Sequence, residues 1–122
     1  MIQGLDFISI PIRSMDDAIA FYRDKLGFRL IKQSERWSEL EMADGSTITL
    51  YPPESYGESF TPVTALSLRV EDLEHTTKTL AAQGVTFPHG TTPHDSGVCL
   101  GVQFLDPAGN RLHLHHRYAP EV

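Results

Sequence analysis

A single cysteine, Cys99, stands in the 122-residue chain, so no disulfide can form within it and no second thiol completes a zinc knuckle. Long apolar runs are missing too: nothing approaches the roughly 20 residues that a membrane-spanning helix requires. The opening MIQGLDFISIPIR has no basic segment followed by an apolar stretch and a cleavage site. These absences lead to the expectation of a cytoplasmic protein with no membrane partner. Positive charge is also scarce. Ten Lys and Arg against sixteen Asp and Glu leave a formal charge of −6, and no basic cluster offers a field to a phosphate backbone, which argues against nucleic acid. The length suits one compact core or a pair of fused half-units.

What is present is a repeat. LDFISIPI alternates Ile8, Ile10 and Ile12 with Phe7, Ser9 and Pro11, the period of a strand with one covered face. Ser14 then caps a helix over residues 15–26, with Asp17 three places on and Met15, Ala18, Ile19, Tyr22 and Leu26 along one side. Gly27 ends it where a positive φ costs little. FRLIKQ, WSELEM and STITLY follow as strands. From Thr64 the order returns: ALSLRV, a helix over 73–83 capped by Asp72 and closed by Gly84, a short strand VTF, then VCLGVQFL, the turn DPAGN and RLHLHHR. The spacing predicts an α+β fold of two tandem βαβββ modules, 1–53 and 64–122, joined by a Pro-, Gly- and Ser-rich connector at 54–63.

A duplicated unit carrying AIAFYRDKLGF in its first half and FLDPAGNRLHL in its second resembles the vicinal oxygen chelate superfamily, which includes glyoxalase I, bleomycin-resistance binding proteins, extradiol dioxygenases and fosfomycin-resistance enzymes. The resemblance covers nearly the whole chain and implies curved mixed sheets forming a cup, with helices on the convex side and a ligand on the concave one. It also implies a homodimer, for which Tyr56 and Phe60 offer surface. In the metal enzymes of that superfamily, one ligand comes from the first strand and one from the last strand of each half. Those places fall here on Phe7, Thr49, Ala65 and His113. Only the last is a good ligand for a divalent ion. No cofactor is therefore expected, and fold and reaction have to be argued apart.

The strand phases place Phe7, Trp37, Glu39, Thr49 and Tyr51 on the concave face of the first half, with Thr47. In the second half they place Ala65, Ser67, Arg69, Gln103, His113 and His115 there. Trp37 offers a flat wall for an aromatic ligand, or a plug for the sheet core or a dimer contact. Arg69 has the fork to grip an anion, or pairs with Glu39 or Glu41. His113 and His115 line a wet pocket, or bind a relocated metal with Glu39, or leave His113 as a general base. His89 and His94 sit in a loop able to close over the mouth, or face solvent, whereas His75 and His116 read as surface or scaffold. Three functions follow. One is a binding protein for a small, aromatic or anionic molecule, without the metal. Another is a lyase, isomerase or oxygenase acting through His113 or through a divalent metal on His113 and His115. The third is an accessory domain whose cup is filled by its own side chains and which works through a partner surface that Tyr56 and Phe60 could serve.

Overall fold

A computed structural model describes residues 1–119. The chain divides into two compact units, Met1–Val63 and Thr64–Val122, each with the βαβββ order and its own four-stranded mixed sheet.

In the first unit, β1 (Ile8–Pro11), β2 (Arg29–Lys32), β3 (Ser38–Glu41) and β4 (Thr47–Tyr51) lie in the order β1-β4-β3-β2. β1 runs parallel to β4, and the other pairs are antiparallel. The alternation of LDFISIPI holds in part: Ile10 and Ile12 are buried and Ser9 stays exposed, but Ile8, at the start of the strand, is exposed and Pro11 is buried. Leu40, Ile48 and Leu50 complete the covered face. Helix α1 (Met15–Ile19) packs Ala18 and Ile19 toward this core, and its first turn is held by the Ser14 hydroxyl, which accepts from the Asp17 N–H at 3.2 Å.

Regular α-helix ends earlier than the apolar stripe predicts. From Ala20 to Lys25 the turn widens to a π-helix, with the Leu26 N–H donating to the Phe21 carbonyl at 3.1 Å. The additional residue in the turn rotates the inward face, so that Phe21, outside the predicted stripe, is buried beside Tyr22 with ring centroids 5.3 Å apart. Gly27, at φ +80°, then closes the segment.

The second unit orders β5 (Thr64–Arg69), β6 (His94–Asp95), β7 (Cys99–Leu105) and β8 (Arg111–Arg117) as β5-β8-β7-β6. Leu66, Val102, Phe104, Leu112 and Leu114 form its covered face. Helix α2 (Leu73–Ala82) turns Leu73, Thr77 and Leu80 inward, and Asp72 caps it by accepting from the His75 N–H at 3.0 Å. The predicted strand VTF does not form as a strand. That segment gives one carbonyl, of Thr86, to the Leu105 N–H at 3.0 Å, while Val85 is buried and the Phe87 ring leans on Phe104 at 6.1 Å. Its side chains serve the core, and Pro88, which has no N–H, ends any ladder. The edge beside β7 goes to His94–Asp95 instead.

The signature DPAGN has a structural cause. Asp106 is buried, and its carboxylate accepts from the Ala108 N–H at 3.0 Å, the Asn110 N–H at 2.9 Å and the Asn110 side-chain amide at 2.9 Å. Asn110 is fully buried. Gly109 supplies φ +91°, which the turn between β7 and β8 requires. No helix among the described residues is long and apolar enough to cross a membrane.

Candidate functional site

Each sheet has one face covered by its own helix, and the alternate residues on the other face line a cavity. In the first unit the register sets Ser9 and Glu39 opposite Thr49, and Lys32 opposite Glu39. A row of side chains thus crosses all four strands. Thr49, at the centre, is buried, and its hydroxyl shares a hydrogen bond with that of Ser9 at 3.0 Å.

Around this row lies a cavity of about 590 Å³, and five of the six predicted first-unit residues, Phe7, Trp37, Glu39, Thr49 and Tyr51, line it. Thr47 does not; its hydroxyl donates to the Asp6 carbonyl at 3.0 Å. Ser9, in the same phase as Phe7, lines the cavity as well, and so do Tyr56 and Glu58, which lie outside the strands and on which phase is silent. Tyr56 ends a short 3-10 turn, Pro53–Tyr56, closed by Gly57 at φ +76°. This turn folds Tyr56 back so that its hydroxyl donates to the Arg36 carbonyl at 3.0 Å and its ring stands edge-on to Tyr51 at 6.2 Å. The Pro and Gly at the ends of PESYG were the available signal.

In the second unit a cavity of about 500 Å³ is lined by Gln103, His113 and His115 from β7 and β8. Gly101 is the register partner of His115 and leaves that imidazole without a side chain above it. His89, His94 and Cys99 line the same cavity, so the loop histidines do meet the strand pair. β6 holds His94 there: the neighbouring Asp95 accepts from the Gly97 N–H at 2.9 Å and the Tyr118 hydroxyl at 2.7 Å.

The remaining second-unit candidates stand apart from that cavity. Ser67 lies opposite His113 and Arg69 opposite His115, but neither lines it, and nor does Ala65. Arg69 shares a different hollow with His115, His116 and Arg117. Glu41, one of its imagined partners, is held by Arg29 at 2.6 Å. His75 is exposed on α2, and His116 is half-buried in the phase of Leu112 and Leu114.

His113 is half-buried, and its pKa lies below the ordinary 6.5, chiefly because burial disfavours the imidazolium and further because a charge on His115 repels it. The sign of the consequence follows from proton binding. Between the folded and unfolded pKa values the unfolded chain holds more protons, so the contribution of His113 to stability is complete above about pH 6.5 and is lost as pH falls through the folded value. Chemical denaturation across pH 5 to 8 is expected to show stability falling on the acid side, with a shallower fall in His113→Gln. Equal slopes in the two proteins would contradict the assignment.

The four places implied for a metal offer a poor donor set. Phe7 and Ala65 have no donor atom, the Thr49 hydroxyl is engaged by Ser9, and His113 alone is an imidazole. These residues do not fit a divalent centre of the implied kind. Among the described residues no three His, Cys, Asp or Glu converge closely enough to hold an ion.

Comparison with known proteins places these observations. The family profile of the Glyoxalase/Bleomycin resistance protein/Dioxygenase superfamily matches residues 4–114. A member of that superfamily from Sphaerobacter thermophilus superposes with a TM-score of 0.81 at 25% identity, over 93% of this chain and 97% of the other. An antibiotic binding protein from Streptomyces superposes with a TM-score of 0.80 at 22% identity, over 96% and 98% of the two chains. A lactoylglutathione lyase from Agrobacterium tumefaciens gives 0.78 at 15% identity, over 94% of each.

Proposed function

We propose, since the chain belongs to the Glyoxalase/Bleomycin resistance protein/Dioxygenase superfamily, that it is a small-molecule-binding protein that dispenses with the divalent centre used by that superfamily's metal enzymes. The observation that carries this reading is the first-unit cavity. About 590 Å³ walled by Phe7, Trp37, Tyr51 and Tyr56 is within the usual size of a ligand site, and it has the usual make-up of apolar rings with a few polar groups. Trp37 and the tyrosines supply flat area at low entropic cost, and the Ser9–Thr49 hydroxyl pair at its floor offers hydrogen bonds. The fold is shared with an antibiotic binding protein, which is consistent with sequestration or carriage of a flat organic molecule.

A second reading rests on His113. With its pKa below 6.5 the imidazole is neutral at physiological pH and can accept a proton, and Gln103 and His115 beside it can orient a substrate. On this reading the second-unit cavity houses a lyase, isomerase or oxygenase.

The test is a thermal-shift and native mass spectrometry survey of planar aromatic compounds in chelator-treated buffer. A ligand at a hundred times its Kd stabilises the folded state by about 2.7 kcal/mol, a shift of several degrees. The expected result is such a shift in wild type, absent in Trp37→Ala, with the compound recovered unchanged. Chemical conversion of the compound by wild type but not by His113→Ala would overturn the binding-protein reading in favour of the enzyme.

A further inference from the structure

The first-unit cavity carries charge of one sign. Among the described residues its charged lining groups are Glu39 and Glu58, and no Lys, Arg or His lines it. Resting on the small-molecule reading above, we propose that this cavity takes a planar aromatic cation, such as an N-alkylated heteroaromatic ring, and not the anion that the position of Arg69 in the sequence suggested.

Three features of the cavity favour positive charge. First, the carboxylates are uncompensated. Among the described residues neither Glu39 nor Glu58 makes an ion pair, whereas Glu41, two residues along β3, is matched by Arg29. Lys32 is the cross-strand partner of Glu39, yet it places its ammonium 4.6 Å from the centroid of the Trp37 ring. Glu39 is half-buried, where an unmatched charge attracts its opposite more strongly than it would in open water.

Second, the walls include aromatic rings, whose faces carry a negative quadrupole that attracts cations. Two of these rings already hold a cation: Lys32 stands over Trp37, and the Arg36 guanidinium stands 4.7 Å from the centroid of Tyr56. Neither cation lines the cavity. Third, an anion entering here would meet Glu39 and Glu58 with no basic lining group to receive it. Arg69, the group expected to hold an anion, belongs to the second unit and lines a different hollow. The net charge of −6 adds a field that draws cations to the surface.

Lys32 is then a competitor. A ligand cation stacked on Trp37 shares the ring with that ammonium and is repelled by it, so removing the charge of Lys32 should tighten cation binding without helping a neutral ring.

Three bicyclic probes of similar size separate the alternatives: N-methylquinolinium, the neutral N-methyl-2-quinolone and the anionic quinoline-2-carboxylate. Calorimetry gives affinity, and the emission of Trp37, the single tryptophan, reports occupancy of this cavity. N-methylquinolinium is expected to bind about tenfold more tightly than the quinolone, with the carboxylate weakest. Glu39→Gln should cost the cation about tenfold and the quinolone less than about twofold, and Lys32→Met should improve the cation alone. Tightest binding of the quinolone or the carboxylate, with Trp37 responding, would overturn the cation proposal and leave the binding-protein reading standing. An equal loss of cation and quinolone in Glu39→Gln would also overturn it. No binding by any probe, with Trp37 emission unmoved, would remove both.

Discussion

Replacing Asp106 by alanine is expected to lower stability by about 3 kcal/mol, and Asn110→Ala by nearly as much. The carboxylate of Asp106 receives three N–H bonds inside a turn where both it and Asn110 are buried. Deleting it removes the acceptor of all three of these N–H bonds inside the turn, and losing the acceptor of a buried donor costs about 1 to 3 kcal/mol. Truncating Asn110 removes the side-chain amide bond to the Asp106 carboxylate and leaves a cavity where a fully buried side chain stood. For a chain of this size the thermal midpoint should fall by roughly 10 °C. The turn joins β7 to β8, so the loss should be accompanied by faster amide exchange along both strands. A midpoint within a degree or two of wild type would show that the turn is not the staple it is taken for.

Phe104→Ala is expected to cost about 3 to 5 kcal/mol, the usual penalty for removing a buried phenyl ring and leaving its cavity. Phe104 is fully buried and touches Phe87 from the connecting loop. Its neighbour Gln103 faces the other way, into the second-unit cavity, and Gln103→Ala should change stability by less than about 1 kcal/mol. The contrast between adjacent residues tests the strand phase on which every second-unit site residue depends. Comparable losses in urea denaturation would mean that Gln103 belongs to the core and that the phase is wrong.

The parts of the fold legible beforehand share one physical origin. Leu40 on β3, and Leu112 and Leu114 on one side of β8, are buried because a strand with one covered face must alternate, and alternation is visible in a sequence; in β1 only Ile10 follows it, since Ile8 is exposed and Pro11 is buried. Ser14 and Asp72 announce their helices because a side-chain oxygen is needed where the first backbone N–H groups lack partners. The first-unit cavity residues Phe7, Trp37, Glu39, Thr49 and Tyr51 were legible for the same reason as the core, as the other phase of the same strands.

Other elements leave no periodic trace. The π-helix after Ile19 reflects how Phe21 and Tyr22 both reach the core, a tertiary demand that helix spacing does not encode. β6 is two residues long, too short for any pattern, while VTF has the composition of a strand and is drawn inward by Val85 and Phe87. Tyr56 reaches the first-unit cavity through a turn, and His89 through a loop and His94 through the two-residue β6 reach the second-unit cavity, so strand phase is silent on all three. Arg69 illustrates the converse: its phase is right, opposite His115, but side chains in register on neighbouring strands can serve different hollows.

The account turns on ligand binding without the divalent centre of the superfamily's metal enzymes, and calorimetric titration of zinc, nickel and manganese into chelator-treated protein tests that most directly. With Phe7 and Ala65 offering no donor and the Thr49 hydroxyl engaged by Ser9, an ion held by one or two imidazoles keeps most of its water shell and dissociates readily. The account predicts no saturable one-to-one uptake of any of the three ions at micromolar protein, and unchanged weak heats in His113→Ala and His115→Ala. Tight one-to-one binding in wild type that vanishes in both variants would contradict it and make the protein a metalloenzyme with its centre moved onto β8.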